Sequence, residues 1–226
     1  MKKTSFIKAV LTIIRKDLRV ELRSRELLSL MGMFTLLSVM IFSFALQLDI
    51  LARESTVNGV LWVTIVFASI LGLNRSLAME REQGNLDSML LAPIDRTAIF
   101  FGKLAGNYLF AVTIGVLLLP LTTILFNITL TSTGMLMMVL LGTLGISTVG
   151  TLLATMTVQT RTSDALLPIV MLPAVLPILL SVVNASAGII NGDAFNEWAG
   201  WLQLVAMIDV IYLTLCFLLY GFVIEE

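Results

Sequence analysis

Few residues of this chain could do chemistry, because its 226 residues include no histidine and a single cysteine, Cys216. Histidine is the commonest general base, a usual zinc ligand and the ordinary axial ligand of haem, so its absence disfavours a serine hydrolase, a zinc site and direct haem ligation. The phosphate-binding pattern Gly-x-x-x-x-Gly-Lys-Ser/Thr is also absent from the sequence. We therefore expect no catalytic residue, no bound metal or cofactor, and no ATP-hydrolysing site in this chain.

Asp209 is an acidic residue inside a long apolar run, between Met207-Ile208 and Val210-Ile211-Tyr212. An ionised carboxylate in the middle of a membrane helix costs about 2.5 to 3.5 kcal/mol on insertion scales. This cost makes Asp209 a functional candidate that faces either the interior of a helix bundle or a dimer partner. The alternative is a protonated or hydrogen-bonded structural residue near the outer membrane interface.

The densest group of charged side chains forms a polar island, residues 74–96, between two long apolar runs. The preceding helix can end at Gly84, because glycine adopts the left-handed backbone of a helix end at little steric cost. Asn85 can then cap a short helix from Leu86 to Leu91, and Pro93 would stop it. The polar island therefore predicts a short helix between two membrane-spanning helices.

This predicted short helix carries Leu86, Met89 and Leu90 at positions i, i+3 and i+4, so the three side chains form one apolar patch. Asp95 can cap the helix that follows. A short helix with an apolar patch, held just outside the membrane, is suited to dock into a groove on a soluble partner. The alternative is a re-entry loop that lies on the lipid headgroups, and the spacing alone favours neither.

The polar island also resembles a known family. Its segment Met79–Ile94, MEREQGNLDSMLLAPI, resembles the coupling segment between the second and third membrane helices of ABC-2 type exporter permeases. Together with Arg75 and residues 101–107, it most resembles the haem exporter protein B family of cytochrome c biogenesis permeases. Residues 16–26 resemble the amphipathic entry segment of that family, and residues 161–173 resemble its connection between the fourth and fifth helices. The resemblance covers nearly the whole chain.

The resemblance implies a set of residues that couple the chain to an ATPase: Glu80, Arg81, Glu82, Gly84, Leu86, Met89 and Leu90. It also implies partners, namely a pair of ATPase subunits that bind ATP, a haem-handling membrane protein, a periplasmic haem chaperone and a second copy of this chain. Haem would be handled by the complex. In the family the ATP-driven step is thought to release the haem-loaded chaperone, and not to carry haem through this subunit.

The composition independently predicts an integral membrane protein. Hydrophobic residues make up 58% of the chain, charged residues 13%, and the mean hydropathy is +1.00, whereas soluble domains contain about 25% charged residues. We expect one transmembrane domain over residues 1–226. The net charge of -1 gives no indication of a nucleic-acid partner.

Residues 1–26 are basic and amphipathic, which predicts a helix in the membrane interface. Its basic residues would face anionic lipid headgroups, and those we single out are Lys16, Arg19, Arg23 and Arg25. In ABC-2 permeases the resembling helix also touches the ATPase.

Residues 27–224 contain six apolar runs long enough to cross a bilayer, which needs about 20 residues. They are approximately Leu27–Leu48, Val57–Leu77, Leu104–Phe126, Met135–Met156, Ala165–Ala187 and Trp201–Ile224. Continuous apolar runs predict helices and not barrel strands, so the fold class is an all-α ABC-2 type permease. The fifth run contains Pro168, Pro173 and Pro177, which predict helix kinks, either as a hinge or as a static feature of packing.

The distribution of charge predicts the orientation. All Lys and Arg residues except Arg53 fall on one side of the membrane if the N-terminus is cytoplasmic. We expect both termini in the cytoplasm of a bacterium and the chain in its inner membrane. The predicted function is the permease subunit of the haem-handling transporter. The alternatives are a general ABC-2 exporter of lipid-linked glycans or hydrophobic drug-like compounds, and a membrane scaffold without energy coupling.

Overall fold

The computed structural model describes residues 5–46, 50–82, 95–157 and 163–223 of the chain. These residues form seven helices: α1 (Phe6–Ser24), α2 (Glu26–Ala45), α3 (Ile50–Glu82), α4 (Arg96–Phe126), α5 (Thr133–Thr157), α6 (Ser163–Asn191) and α7 (Phe195–Val223). Within these ranges the structure contains no strand, which confirms the predicted all-α class.

Helices α2 to α7 are each long and apolar enough to cross a membrane, which confirms the six predicted spans. Three of them begin well before the predicted apolar run. Helix α3 begins at Ile50 and not Val57, α4 begins at Arg96 and not Leu104, and α7 begins at Phe195 and not Trp201. Polar residues had suggested loops there, but a helix end tolerates them. Glu197 lies in the first turn of α7, where a carboxylate interacts favourably with the helix dipole.

The boundary between α1 and α2 lies at Arg25, whose φ of 55° is left-handed. The Arg25 amide donates a hydrogen bond of 2.6 Å to the carbonyl of Glu21, which closes the last turn of α1. The predicted junction after residue 26 lies close to this boundary. A left-handed conformation is uncommon for a residue with a side chain, and it turns the chain sharply from α1 into the first span.

Helix α5 lies at the centre of the bundle, where it contacts α3, α4, α6 and α7. Glycines on α5 permit this close packing. A Cβ atom at Gly142 would lie 2.6 Å from the ring of Trp62, a residue that is fully buried in α3. The Trp62 indole donates a hydrogen bond of 2.9 Å to the hydroxyl of Ser186 in α6. These contacts join α3, α5 and α6 into the main core of the protein.

Helix α6 is a single helix that contains all three prolines of the fifth predicted span, Pro168, Pro173 and Pro177. Neighbouring side chains bond to carbonyls in this proline-rich stretch. Ser181 donates to the carbonyl of Pro177, and Tyr212 of α7 donates to the carbonyl of Ala174, both at 2.8 Å. Whether the prolines form kinks or a hinge stays a prediction.

Candidate functional site

Helix α1 packs beside α4, and the residues at their contact explain the fit. The side chain of Ile13 fills the space above Gly102, where a Cβ atom would lie 2.8 Å from it. The rings of Phe6 and Phe101 meet edge to face, with centroids 6.1 Å apart. Gly102 therefore allows the N-terminal helix to approach the start of the third span closely.

The remaining surface of α1 has two adjacent stripes. One is apolar and exposed and consists of Ile7, Leu11 and Leu22. The other is basic and exposed and includes Arg15, Arg19 and Arg23. Among the interfacial bases singled out from the sequence, Arg19, Arg23 and Arg25 are exposed, whereas Lys16 is partly buried. An apolar stripe beside a basic one is the arrangement that suits a helix lying at a membrane surface.

Four charged side chains meet where α1, α3 and α4 converge. We call Lys16, Asp17, Glu80 and Lys103 the four-charge cluster. The ammonium of Lys103 lies 3.1 Å from a carboxylate oxygen of Asp17 and also pairs with Glu80. The ammonium of Lys16 lies 3.1 Å from the other oxygen of Asp17 and 3.7 Å from Glu80. Each acid in the cluster therefore faces both bases.

The four-charge cluster is largely removed from solvent. The side chains of Glu80 and Lys103 are 9% and 11% exposed, and that of Asp17 is 16% exposed. Two positive and two negative charges balance one another, so none of these buried groups lacks a counter-charge. A cleft of about 40 Å³ lies beside them, lined in part by Val20, Ser76 and Met79.

A third acid, Glu21, holds the start of the first span. The Glu21 carboxylate accepts hydrogen bonds from the amides of Leu27 and Leu28, at 3.3 and 2.8 Å. Through these bonds Glu21, which is 4% exposed, caps the N-terminus of α2 from the preceding helix. At the same end of the bundle, Arg75 of α3 pairs with Glu26 of α2. Ionic and capping contacts therefore tie α1, α2, α3 and α4 together at one end.

The predicted coupling residues border this assembly. The carboxylate of Glu80 lies against Lys16 and Lys103, which belong to two other helices. Asp95 caps α4, as predicted, by accepting bonds of 3.0 and 2.7 Å from the amide and hydroxyl of Thr97. The other predicted coupling positions lie outside the described residues, or their side chains do: Arg81, Glu82, Gly84, Leu86, Met89 and Leu90.

Sequence reasoning missed Asp17 and Lys103 as members of the cluster. Two signals were present. Asp17 is an acid in an otherwise basic amphipathic segment, and Lys103 interrupts the apolar sequence Phe-Phe-Gly-Lys-Leu-Ala at the start of a span. A buried base and an isolated acid are each costly alone, so the presence of both near one membrane surface suggests a pair.

Asp209 lies on the inner face of α7 and is 3% exposed. It therefore faces the bundle interior, one of the two placements expected for a functional residue. Among the described residues, neither of its carboxyl oxygens has a hydrogen-bond partner. The same part of the chain contains no cluster of three or more residues able to hold a metal ion.

Comparison with known sequences agrees with this architecture. The family described as CcmB protein matches residues 8–223 of the chain. The chain is similar to a Rhodobacter capsulatus protein named Heme exporter protein B, with 32% identity over 171 residues, 74% of this chain and 78% of the relative.

Two further relatives carry the same name. The Bradyrhizobium diazoefficiens protein is 26% identical over 81% of this chain and 83% of its own length, and the Pseudomonas aeruginosa protein is 24% identical over 80% and 81%. The resemblance first noted in the polar island thus extends through the six apolar helices of a multi-pass membrane protein. The chain belongs to the CcmB protein family.

Proposed function

We propose that this chain is the permease subunit of a haem exporter complex that serves cytochrome c maturation, and that it couples a separate ATPase to that task. The names of its relatives support the assignment to haem export. The four-charge cluster is the observation that carries the coupling role, because it joins three helices beside the predicted docking segment. The chain acts as a transport component, and ATP binds to the partner subunit.

The cluster makes three helices behave as one body at the docking end. Lys16 and Asp17 belong to α1, Glu80 lies two residues before the end of α3, and Lys103 lies in the early part of α4. Buried ion pairs contribute little net stability, but they fix geometry, because removing one partner leaves an uncompensated charge. A displacement of the segment between α3 and α4 therefore moves α1 with it.

Two long helices would carry such a displacement across the bundle. Helix α3 has 33 residues and α4 has 31, so each extends about 45 to 50 Å. Both pack on the central helix α5. A force applied at one end of α3 and α4 would tilt them against α5 and change the far surface of the protein.

The ATPase pair would bind the short helix between α3 and α4 through residues of the polar island: Arg81, Glu82, Gly84, Leu86, Met89 and Leu90. Glu80 would not bind the ATPase, because its carboxylate already pairs with Lys16 and Lys103. It positions the docking segment on the bundle. The exposed basic stripe of α1 would lie against anionic membrane lipid.

Haem itself would be handled by other subunits. The sequence has no histidine to ligate it. A haem-handling membrane protein and a periplasmic haem chaperone would complete the complex, and ATP-driven movement would release the loaded chaperone. Two copies of the permease would supply one docking site to each ATPase, in the bacterial inner membrane with both termini cytoplasmic.

The test uses the tagged full-length chain in a host strain that lacks its own copy. We expect the wild type to restore c-type cytochromes and to co-purify with an ATPase and haem-handling proteins. Replacing Leu86, Met89 and Leu90 together with serine should abolish ATPase recovery, since the apolar patch is lost. Glu197→Gln, an exposed charge at the opposite end of the bundle, is the control and should leave recovery unchanged.

Other outcomes separate the alternatives. An ATPase recovered with glycan or lipid enzymes, and c-type cytochromes that do not depend on this chain, would contradict the haem assignment and indicate a general exporter. Recovery of no ATPase from the wild type would indicate a scaffold. Comparison of variants at equal membrane abundance removes effects of misfolding.

A further inference from the structure

Asp209 is a buried acid that the proposed function does not use. The inner face of α7 is formed by residues that recur at helical spacing: Val205, Asp209, Tyr212, Cys216 and Tyr220. On the opposite face, Met207 and Val210 are 65% and 64% exposed. Helix α7 therefore turns its acid into the bundle and its apolar side chains outward.

Gly145 of α5 and Ile178 of α6 form the walls around this carboxyl. A Cβ atom on Gly145 would overlap an oxygen of Asp209 and would lie 2.6 Å from the Ile178 side chain. The absence of a side chain at Gly145 thus creates the space that the carboxyl fills. The site is closely packed on the α5 side and apolar on the α6 side.

The hydrogen-bonding groups closest in sequence do not satisfy Asp209. The Tyr212 hydroxyl, one turn further along α7, donates instead to the carbonyl of Ala174 at 2.8 Å. Both carboxyl oxygens lack a hydrogen-bond partner among the described residues. A carboxylate in such surroundings would have no donor among the described residues to replace its lost hydration.

Among the residues that the structure describes, the charged and titratable groups around the site supply no counter-ion. Tyr108 of α4 lies within electrostatic reach of Asp209, but a neutral phenol carries no positive charge. Lys103, which precedes Tyr108 in α4, is held by the acids of the four-charge cluster. On α7 itself, the titratable neighbours Tyr212 and Cys216 are neutral when protonated.

The two other helices that pack against α7, α5 and α6, add no counter-charge for Asp209. The sequence of α5 contains no titratable residue. That of α6 contains only Asp164, near its start, which lies about 20 Å from Ile178 along the helix axis. No base on either helix can therefore compensate an ionised Asp209.

We propose that Asp209 is a proton-binding site within the bundle. The bound proton makes the carboxyl neutral and allows α7 to pack against Gly145. Loss of the proton leaves an uncompensated charge in an apolar site, and α7 must then move away from α5 to admit water. Proton occupancy is thereby linked to the packing of the last span, independently of whether the chain serves haem export.

The test labels the full-length protein in lipid nanodiscs with dicyclohexylcarbodiimide, an apolar reagent that reacts with protonated carboxyls. The acid proton passes to a nitrogen of the reagent while the carboxyl oxygen bonds to its central carbon, and the adduct rearranges to a stable N-acylurea. Peptide mass spectrometry then locates it. We expect Asp209 to be labelled at about pH 6 and several-fold less at about pH 9.

Asp193 and Glu197 provide internal controls, because both are exposed, the first just before α7 and the second in its first turn. They should react with a water-soluble carbodiimide, whereas Asp209 should not. The Asp209→Asn variant should lose only the adduct at that position. Absence of labelling of Asp209 at both pH values, or equal labelling by the water-soluble reagent, would overturn the proposal. So would protection by added Na⁺ at constant pH, which would indicate a cation site.

A second readout does not depend on reagent access. If the folded protein holds a proton that the unfolded chain releases, raising the pH must lower the stability of the fold. The unfolding temperature of the wild type should therefore fall more between about pH 6 and about pH 9 than that of Asp209→Asn. Equal slopes for the two proteins would contradict proton binding at Asp209.

Discussion

Two regions of the molecule bury acids in opposite ways. In the four-charge cluster, Asp17 and Glu80 each face two lysines, and three helices meet through them. In the middle of α7, Asp209 faces a glycine and an isoleucine and has no hydrogen-bond partner among the described residues. The cluster keeps its charges and fixes the positions of three helices. The packing around Asp209 can persist only if a bound proton neutralises the carboxylate.

This difference shows that the depth at which an acid is buried does not determine its role. As whole residues, Glu80 and Asp209 are 7% and 3% exposed to solvent, so burial alone does not distinguish them. The counter-charges decide the outcome, because a paired carboxylate stays ionised whereas an isolated one takes up a proton. The cluster therefore suits transmission of movement, and Asp209 suits a response to protons.

The largest effect is expected from removing a base of the cluster. Lys103→Met leaves Asp17 and Glu80 with Lys16 as their shared base in the cluster and should destabilise the protein by about 3 to 5 kcal/mol, as measured by thermal unfolding in detergent. The double variant Lys103→Met with Glu80→Met should recover much of that loss, since it removes one charge of each sign. The exposed Arg19→Gln is the control, with an expected change within about 0.5 kcal/mol.

Two glycines, each beside an acid, allow a matched comparison of how closely the two acids are packed. Gly145→Ala would drive a methyl group into Asp209 and should cost about 1 to 3 kcal/mol through overpacking. A Cβ atom at Gly106 would lie 3.5 Å from an oxygen of Asp17, which is ordinary contact. Gly106→Ala should therefore unfold at nearly the wild-type temperature. Equal losses for both variants would contradict the close packing around Asp209.

Glu21 tests a carboxylate that is compensated by amides instead of a base. Glu21→Ala leaves the amides of Leu27 and Leu28 without their acceptor and should cost about 1 to 2 kcal/mol in unfolding experiments. Glu21→Gln keeps a carbonyl acceptor and should lose less. If the two variants were equally stable, the cap would not be the source of the effect.

The smallest effect on stability is expected at Asp209. Asparagine has nearly the same shape and no charge, so Asp209→Asn should change the free energy of unfolding by less than about 1 kcal/mol at neutral pH. Asp17→Asn should cost more, because it removes a charge that faces Lys16 and Lys103. Thermal unfolding of the two variants side by side measures the comparison, and a greater loss at Asp209 would reverse it.

Much of the architecture was predictable from the sequence because apolar length alone identifies spans. The six spans and the Asp95 cap were each predicted from local patterns that the structure retains. The starts of α3 and α7 were not, since polar residues such as Asn196 and Glu197 at a helix end resemble a loop in composition.

The candidate site was less predictable because its contacts are distant in sequence. Lys16, Glu80 and Lys103 belong to different helices, and local spacing carries no information about which acid meets which base. For Asp209 the sequence indicated that an intramembrane acid is costly, but not which way its side chain points. That required the position of Gly145, whose missing side chain is meaningful only once α5 and α7 are packed together.

The central claim is that the four-charge cluster holds the docking segment in the position that coupling requires. Reversing its charges in a host that depends on this chain for cytochrome c maturation tests it most directly. We predict that Glu80→Lys and Lys103→Glu each abolish c-type cytochromes, and that the double variant restores a measurable fraction at equal membrane abundance. Wild-type levels of c-type cytochromes in either single variant would contradict the account.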